Sequence, residues 1–424
     1  MKNFKMILTF VLFAVSAFLC QQIISESIDN QKNKQDYAEI NHIKYGLFSV
    51  DKWKEHLAGI IADEITNLNL TNANERDLKK HVEIQLGGLI DKVDKKIRDT
   101  NKGSTSGWIK QAFINTFVDL KDVKSGIPAY ADAIIIEMTK VKSEKHLKAL
   151  LQKRVERYFD KTFESKDLTI HDLILSKTSS PDIETAKVKI NELVSSFQKV
   201  IYQQTWALIA LATLVFLLAG LSQQTLPATQ YILLLLTLII LLATGVTTPM
   251  IDMEAKISEM SFTLLDHPIS FKDQVLYFQS KSILDVFWIM VTHKDLEMKI
   301  VGILMVAFSI VFPLFKMISS LLFYYNFRKA RDSWWVQFFV LKSGKWSMTD
   351  VLIVAIFMAY IGFNGIISSQ FGTLNSVDQE MVILTTNGTS LQPGFYIFLT
   401  YTILALFLSG FLTRKPKEID VLKN

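Results

Sequence analysis

The chain has 424 residues, half of them hydrophobic, a formal charge of +5 and one cysteine, Cys20. A single cysteine excludes an intramolecular disulfide and a cysteine-based zinc site. The positive residues form no basic stripe beside exposed aromatic residues, which argues against a nucleic-acid partner. The seven histidines show no metal-ligand spacing, so we expect neither a metal nor a cofactor.

Six segments are apolar enough to cross a membrane, since a spanning helix needs about 20 residues for roughly 30 Å of hydrocarbon. They are Met6–Ile24, Trp206–Leu221, Tyr231–Met250, Ile300–Phe323, Val351–Ser368 and Phe395–Leu412. The stretch 25–200 is instead rich in Lys, Asp, Glu and Asn. We therefore predict an all-α polytopic membrane protein of about six spans, with a helical extracytoplasmic domain inserted after the first span.

The first segment follows Lys2 and Lys5, a positive start that is typical of a signal peptide or a signal anchor. No clean cleavage site stands out around Ala14–Ala17, so we favour an uncleaved anchor. Both interpretations send 25–200 across the membrane. The predicted parts are an anchor or signal peptide at 1–24, the extracytoplasmic domain at 25–200, an extra span and short loop at 201–230, a four-span module at 231–413 and a basic tail at 414–424.

The extracytoplasmic stretch 25–200 shows helical periodicity. Its apolar residues recur at three- and four-residue steps in Leu147, Leu150, Leu151, Val155 and Phe159. Glycine- and proline-containing breakers divide the domain into five or six helices. No nucleophile–base motif, phosphate-binding glycine loop or pair of catalytic carboxylates is present in the sequence. We expect a folded docking or spacer domain, and a protein that is not an enzyme.

The charges between the spans predict the orientation, because positive residues are retained on the cytoplasmic side. The segment Tyr324–Ser347 carries five basic residues against one acid, Asp332, and a basic tail begins at Arg414. The segment Phe371–Gln392 contains acids and no basic residue. Six alternating spans then place both basic segments, and both termini if the anchor is uncleaved, in the cytoplasm.

Two ionisable residues lie where spans are predicted, and an intramembrane charge usually faces a partner or a cavity. Lys316 lies in the fourth span, after Pro313, which predicts a kink and a freed carbonyl. Asp350 begins the fifth span near the same membrane face. We expect these two to form an ion pair. The alternatives are that Lys316 snorkels to the interface and that Asp350 caps its helix.

Other polar or helix-breaking residues complete the candidate site. Asn364 lies inside the fifth span beside two glycines, and Thr402 lies in the last span. Both could join a polar seam inside the membrane, although threonine often bonds its own helix backbone. Pro249 ends the third span, and the carboxylate of Asp252 follows it at the outer interface, where ionisation costs little.

Three motifs from about Tyr231 to Leu412 resemble the paraquat-inducible protein A family of bacterial inner-membrane proteins. The first is the Pro249-Met250 helix end followed by Ser282-Ile283-Leu284-Asp285-Val286. The second is Phe312-Pro313-Leu314-Phe315-Lys316. The third is Gly344-Lys345-Trp346-Ser347-Met348-Thr349-Asp350-Val351, similar to the family element Gly-x-Trp-Ser-Met-x-Asp-Val.

The resemblance implies a function that the residues alone do not. Members of the family work with mammalian-cell-entry (MCE) domain proteins, which carry lipids between membranes. A member would load or extract phospholipid at the inner membrane. Lys316 and Asp350 match the family's charged positions, so they are candidates for a polar relay, together with Asn364 and Thr402. Better-known members have Cys-x-x-Cys zinc ribbons and two membrane modules, whereas this chain has one cysteine and one module. A non-transporting membrane scaffold or envelope-stress adaptor is the alternative.

Overall fold

The computed structural model describes most of the membrane-associated chain. The described ranges are 2–45, 169–220, 228–264, 267–342, 348–372, 376–377 and 381–414, with isolated helical residues at 80, 83, 84, 87, 88, 91 and 128. Most of the predicted domain at 25–200, including the periodic stretch around Leu151, lies outside these ranges. So do Trp346, Ser347 and the tail after Arg414.

The described chain is mainly helical. Its helices are α1 (Lys2–Ile40), α2 (Thr169–Thr178), α3 (Ile183–Gly220), α4 (Ala228–Thr247), α5 (Ile283–Thr292), α6 (Leu296–Val306), α7 (Phe312–Tyr325), α8 (Trp334–Gln337), α9 (Thr349–Gly372) and α10 (Pro393–Arg414). Five helical stretches are long and apolar enough to cross a membrane, namely Met6–Ile40, Ile183–Leu218, Thr229–Thr247, Leu296–Tyr325 and Thr349–Ser369. The shorter apolar stretch Pro393–Leu408 belongs to α10, which has 22 residues and packs in the same bundle. The helical membrane class is confirmed.

Helices α1 and α3 are longer than their predicted spans. They contain 39 and 38 residues, so each is about 57 Å long, nearly twice the hydrocarbon thickness. They run antiparallel, because Ile23 shares one buried cluster with Ile201 while Ile40 shares another with Ile190. The helix that begins with the first apolar segment thus continues through its polar residues to Ile40 instead of ending near residue 24.

The second cluster belongs to the polar parts of the two long helices, beyond their apolar stretches, where α2 also packs. His171 of α2 is 4% exposed, and its ring lies 4.1 Å from the ring of Tyr45, centroid to centroid. No described residue hydrogen-bonds either ring nitrogen. Burial, aided by the charge of Lys187, lowers the pKa of His171 below its usual value of 6.5.

A five-stranded antiparallel sheet, which the all-α prediction missed, is built from two strands that follow α4 and three strands that follow α9. Its strands are β1 (Ile251–Leu264), β2 (His267–Lys281), β3 (Ser376–Val377), β4 (Met381–Asn387) and β5 (Ser390–Leu391). Their order is β2-β1-β4-β3, with β5 beside β1. Apolar and polar residues alternate along the first half of β1, from Ile251 to Ile257, which is the pattern of a strand with one buried face.

The fourth span is interrupted. A π-helical turn, Ala307–Val311, joins α6 to α7, and the Phe312 amide donates to the Ala307 carbonyl. Pro313 follows directly and is buried. Since proline has no amide hydrogen, the regular ladder cannot pass through it. The irregularity predicted at Pro313 is therefore a π-turn in the helix just before it.

The basic segment after α7 is not a simple cytoplasmic loop. Asn326 ends α7 in the left-handed conformation, with φ of 46°. A turn of 3-10 helix follows, and α8 with the π-helical residues Phe338–Lys342 then folds back along α7. The Phe339 ring lies 5.6 Å from the ring of Phe312 and 5.4 Å from that of Phe315. Phe312 is about 20 Å along the axis from Tyr325.

Candidate functional site

Lys316 of α7 lies against a small cavity inside the helix bundle. The cavity lies between α4, α7, α9 and α10 and is lined by Leu238, Pro313, Thr349 and Thr402, among others. It measures about 50 Å³, which is room for roughly three water molecules. Lys316 is about 13 Å along the axis from Tyr325 at the end of α7. The lysine therefore lies well inside the bundle, next to a space that is large enough for a few water molecules and too small for a lipid.

The predicted ion pair between Lys316 and Asp350 is not formed directly. The Asp350 carboxylate acts on Lys316 electrostatically, but these two described side chains do not approach within 4.0 Å. Asp350 is exposed in the first turn of α9, where the positive end of the helix dipole stabilises an acid. The aspartate thus takes the alternative role of a first-turn acid while still attracting the lysine.

Thr402 is the second predicted relay residue that lines the Lys316 cavity. Its side chain is 5% exposed, and its hydroxyl donates to the carbonyl of Phe398 at 3.0 Å. Thr400 makes the same kind of bond to Tyr396. Because the Thr402 hydroxyl donates its hydrogen bond within its own helix, it can only accept a hydrogen bond from a group in the cavity.

Asn364 lies far from the cavity. It is about 21 Å along α9 from Asp350, and its side-chain oxygen accepts a hydrogen bond from Asn387 of β4. The Asn387 amide also donates to the Asn364 carbonyl at 3.3 Å. Asn364 thus fastens the end of the fifth span to the sheet and is not part of a relay with Lys316. Gly362 and Gly365 meet no atom within 4 Å of an added Cβ, so no described helix packs closely there.

Asp252 forms a second polar site where the sheet meets the helices. The Lys34 ammonium of α1 donates to Asp252 Oδ2 at 2.5 Å and to Gln392 Oε1 at 3.0 Å. The side chains of Lys34 and Asp252 are only 10% and 7% exposed. Asp252 follows the third span as predicted, but its carboxylate is buried, because α1 continues to Ile40 and covers the start of β1.

Backbone hydrogen bonds hold the start of β1, and with it Asp252, beside the end of α4 and the start of α10. The amides of Gln392 and Gly394, just before and within the first turn of α10, donate to the carbonyls of Met250 and Pro249. A Cβ at Gly394 would lie 2.4 Å from the Thr248 carbonyl oxygen, so only glycine permits this approach. Pro249 therefore not only follows the end of α4 but also lies where that end contacts the start of α10.

The motif around Ser282 has a structural role. The Ser282 hydroxyl accepts from the Asp285 amide, and the Asp285 carboxylate accepts from the Ser282 amide, which makes a capping box at the start of α5. Gln31 of α1 also donates to this carboxylate at 3.0 Å. The motif therefore sets where the chain leaves the sheet and begins α5.

Lys34 and Gln392 were missed from the sequence. Lys34 lies in a polar stretch without an apolar stripe, and only helical spacing connects it to the buried face of α1. That face consists of Ile23, Ser27, Asn30, Lys34 and Ala38. Because most of these residues are polar, hydropathy alone assigns the face to water. The fixed partner positions in β1 and before α10 are visible only in three dimensions.

A comparison with protein families gives one match. Residues 276–386 match the family model described as paraquat-inducible protein A. The match runs from β2 to β4 and includes the second and third motifs and the Ser282 element. It is narrower than the stretch from Tyr231 to Leu412 and excludes Lys34, Asp252 and Gln392. No curated protein and no solved structure matches the chain.

Proposed function

We propose that this chain, whose residues 276–386 match the paraquat-inducible protein A family model, is the inner-membrane component of an MCE-type intermembrane phospholipid transport system. It would load or extract phospholipid there and pass it to a periplasmic MCE-domain protein. The family match is the observation that carries this proposal. The membrane helices and the sheet at one end of the bundle support it.

The proposed orientation follows from charge. The basic residues between α7 and α9 belong on the cytoplasmic side, so the sheet and the water-facing ends of α1 and α3 would be periplasmic. Lys316 would act as the charged centre of the module, with water in its cavity and the Asp350 carboxylate nearby. The cavity is far below the 300–1,000 Å³ of ordinary ligand pockets, so the lipid would not be held there.

The small cavity also favours a second candidate function, a scaffold or envelope-stress adaptor that does not transport lipid. A bundle whose Lys316 cavity has room for only a few water molecules has the packing expected of such a protein. In that case the domain between α1 and α3 would carry the activity by holding partners. In both proposals the chain is not an enzyme.

Two variants of the full chain distinguish these functions. Phospholipid transfer from membrane vesicles to acceptor liposomes is measured for the wild type and for Lys316→Met, which removes the charge and keeps the length. The transport proposal predicts at least about a tenfold loss of transfer in a variant that still folds. Unchanged transfer would remove Lys316 from the mechanism, and no transfer by the wild type would favour the scaffold.

A further inference from the structure

Helices α5 and α6 form an apolar hairpin beside the sheet. They are antiparallel neighbours that touch at Gly302, where an added Cβ would lie 2.8 Å from the Cβ of Met290. Several of their large apolar side chains are exposed: Leu284, Trp288, Ile289, Leu296, Ile300, Val301, Ile303 and Leu304. The exposed fraction reaches 67% at Trp288 and 70% at Leu296. Such a surface on a helical hairpin requires an apolar environment.

Contacts at the opposite end of the bundle show how far this hairpin extends. Tyr231, in the first turn of α4, stacks on Tyr324, in the last turn of α7, at 5.2 Å. Helix α4 rises about 24 Å from Tyr231 to Thr247, where the sheet begins. The same rise along the fourth span from Tyr324 reaches about Phe308. All of α6 therefore lies beyond the level at which α4 ends.

The hairpin's own register gives the same level. Since Gly302 lies opposite Met290, the first residue of α5, Ile283, lies opposite about Ser309, within one residue of that level. Ile283 is buried in the same cluster as Met250, at the end of α4. Helix α5 has 10 residues, so the hairpin extends about 15 Å past that level on the side of the sheet.

An exposed apolar stripe connects the hairpin to the membrane-facing surface of the fourth span. Its members lie on both sides of the π-turn at Ala307–Val311: two belong to α6, Val311 ends the π-turn, and two belong to α7. They are Ile300, Leu304, Val311, Phe315 and Ile318. Their exposed fractions are 48%, 45%, 38%, 50% and 52%. The residues between Leu304 and Val311 are partly or fully buried, and apart from Ser309 they are apolar. Apolar side chains therefore follow the fourth span from the level of the bilayer to the hairpin.

We propose that this stripe guides the acyl chains of a phospholipid out of the bilayer, along the outside of the helix bundle. The inference rests on the proposed transport function and adds the route. Continuity with the membrane-facing surface identifies the occupant as a lipid tail, because a tail that slides along it stays on apolar side chains. The tip of the hairpin contains His293, Lys294 and Asp295, and thus both basic and acidic residues. Electrostatic attraction between the tip and a lipid headgroup therefore does not drive binding.

A photo-crosslinking amino acid placed in the full chain tests this route. It replaces Ile300 on the hairpin, Phe315 at bilayer level, or Leu173 of α2, a water-facing control that is 63% exposed. The protein is illuminated in membranes that contain phosphatidylethanolamine and phosphatidylglycerol, and adducts are identified by mass. We expect phospholipid adducts at positions 300 and 315, at least about fivefold above position 173.

A control-level yield at position 300, with strong adducts at 315, would overturn the route, and so would a protein adduct in place of lipid at 300. A second measurement separates this failure from that of the proposed function. Ile300→Asp puts a charge on the stripe, and Val188→Asp puts one on the exposed face of α3. We expect at least about a fivefold loss of phospholipid transfer from vesicles for Ile300→Asp alone. Equal transfer by the two would refute the route and leave the transport function standing.

Discussion

The buried pair of Lys34 and Asp252 allows a quantitative prediction. Lys34→Met keeps the length of the side chain and removes its charge, which leaves the Asp252 carboxylate buried with no cation beside it. Its Oδ1 atom already lacks a hydrogen-bond partner among the described residues, so losing the ammonium removes the bond to Oδ2 as well. Breaking a buried pair in this way costs about 3–5 kcal/mol of unfolding free energy.

Thermal unfolding in detergent, followed by tryptophan fluorescence, measures this loss. At about 2–4 °C for each kcal/mol in a large domain, Lys34→Met should lower Tm by at least about 6 °C. The matched control is Lys32→Met in the same helix. The Lys32 ammonium lies 3.8 Å from Asp29, and the two side chains are 65% and 59% exposed. Such a surface pair is worth less than about 1 kcal/mol.

A double variant tests the reasoning itself. In Lys34→Met with Asp252→Leu neither charge remains, so most of the lost stability should return. If Lys34→Met unfolds at the same temperature as Lys32→Met, the pair is not buried as described. If the double variant is as unstable as Lys34→Met, the loss has a cause other than the orphaned carboxylate.

Three further changes have expected outcomes. Gly394→Ala places a Cβ 2.4 Å from the Thr248 carbonyl oxygen, so the free energy of unfolding should fall by about 1–3 kcal/mol. The control Gly365→Ala places its Cβ in open space and should cost no more than a few tenths of a kcal/mol. The melting temperatures of the two variants test this difference. The pKa of His171 is lowered in the folded chain, so the unfolded chain takes up this proton first as the pH falls below about 6.5. Tm should therefore drop between pH 7 and pH 5, and the drop should be smaller in His171→Phe. Asn387→Ala removes the bonds to Asn364 and should increase amide hydrogen exchange at the end of α9; unchanged exchange would refute that link.

Much of the membrane architecture follows from the sequence. The apolar segments predicted the helices that cross the bundle, because long apolar runs have no other stable form in a bilayer. Helix ends were less accurate: α1 and α3 continue well past their apolar stretches, since polar residues remain helical when a neighbouring helix covers them. The sheet was not predicted, because the charged residues Asp252, Glu254 and Lys256 at the start of β1 are also typical of a polar loop between two spans.

The candidate site was only partly predictable. Lys316, Pro313 and Thr402 meet at one cavity because span order and depth placed them close together. Asn364 was grouped with them by its position in a span, but α9 begins deep in the bundle, so Asn364 reaches the sheet. Lys34 could not be found because its partners are distant in the chain: Asp252 is 218 residues away and Gln392 is 358 residues away.

Phospholipid movement out of the inner membrane tests the central claim most directly. Cells without this chain are pulse-labelled with a phospholipid precursor and supplied with the wild type, Lys316→Met or no protein, and label in isolated inner and outer membranes is followed over time. The proposed function predicts that the wild type restores exchange and that Lys316→Met does not, at equal protein levels. Exchange at the same rate in all three would contradict it.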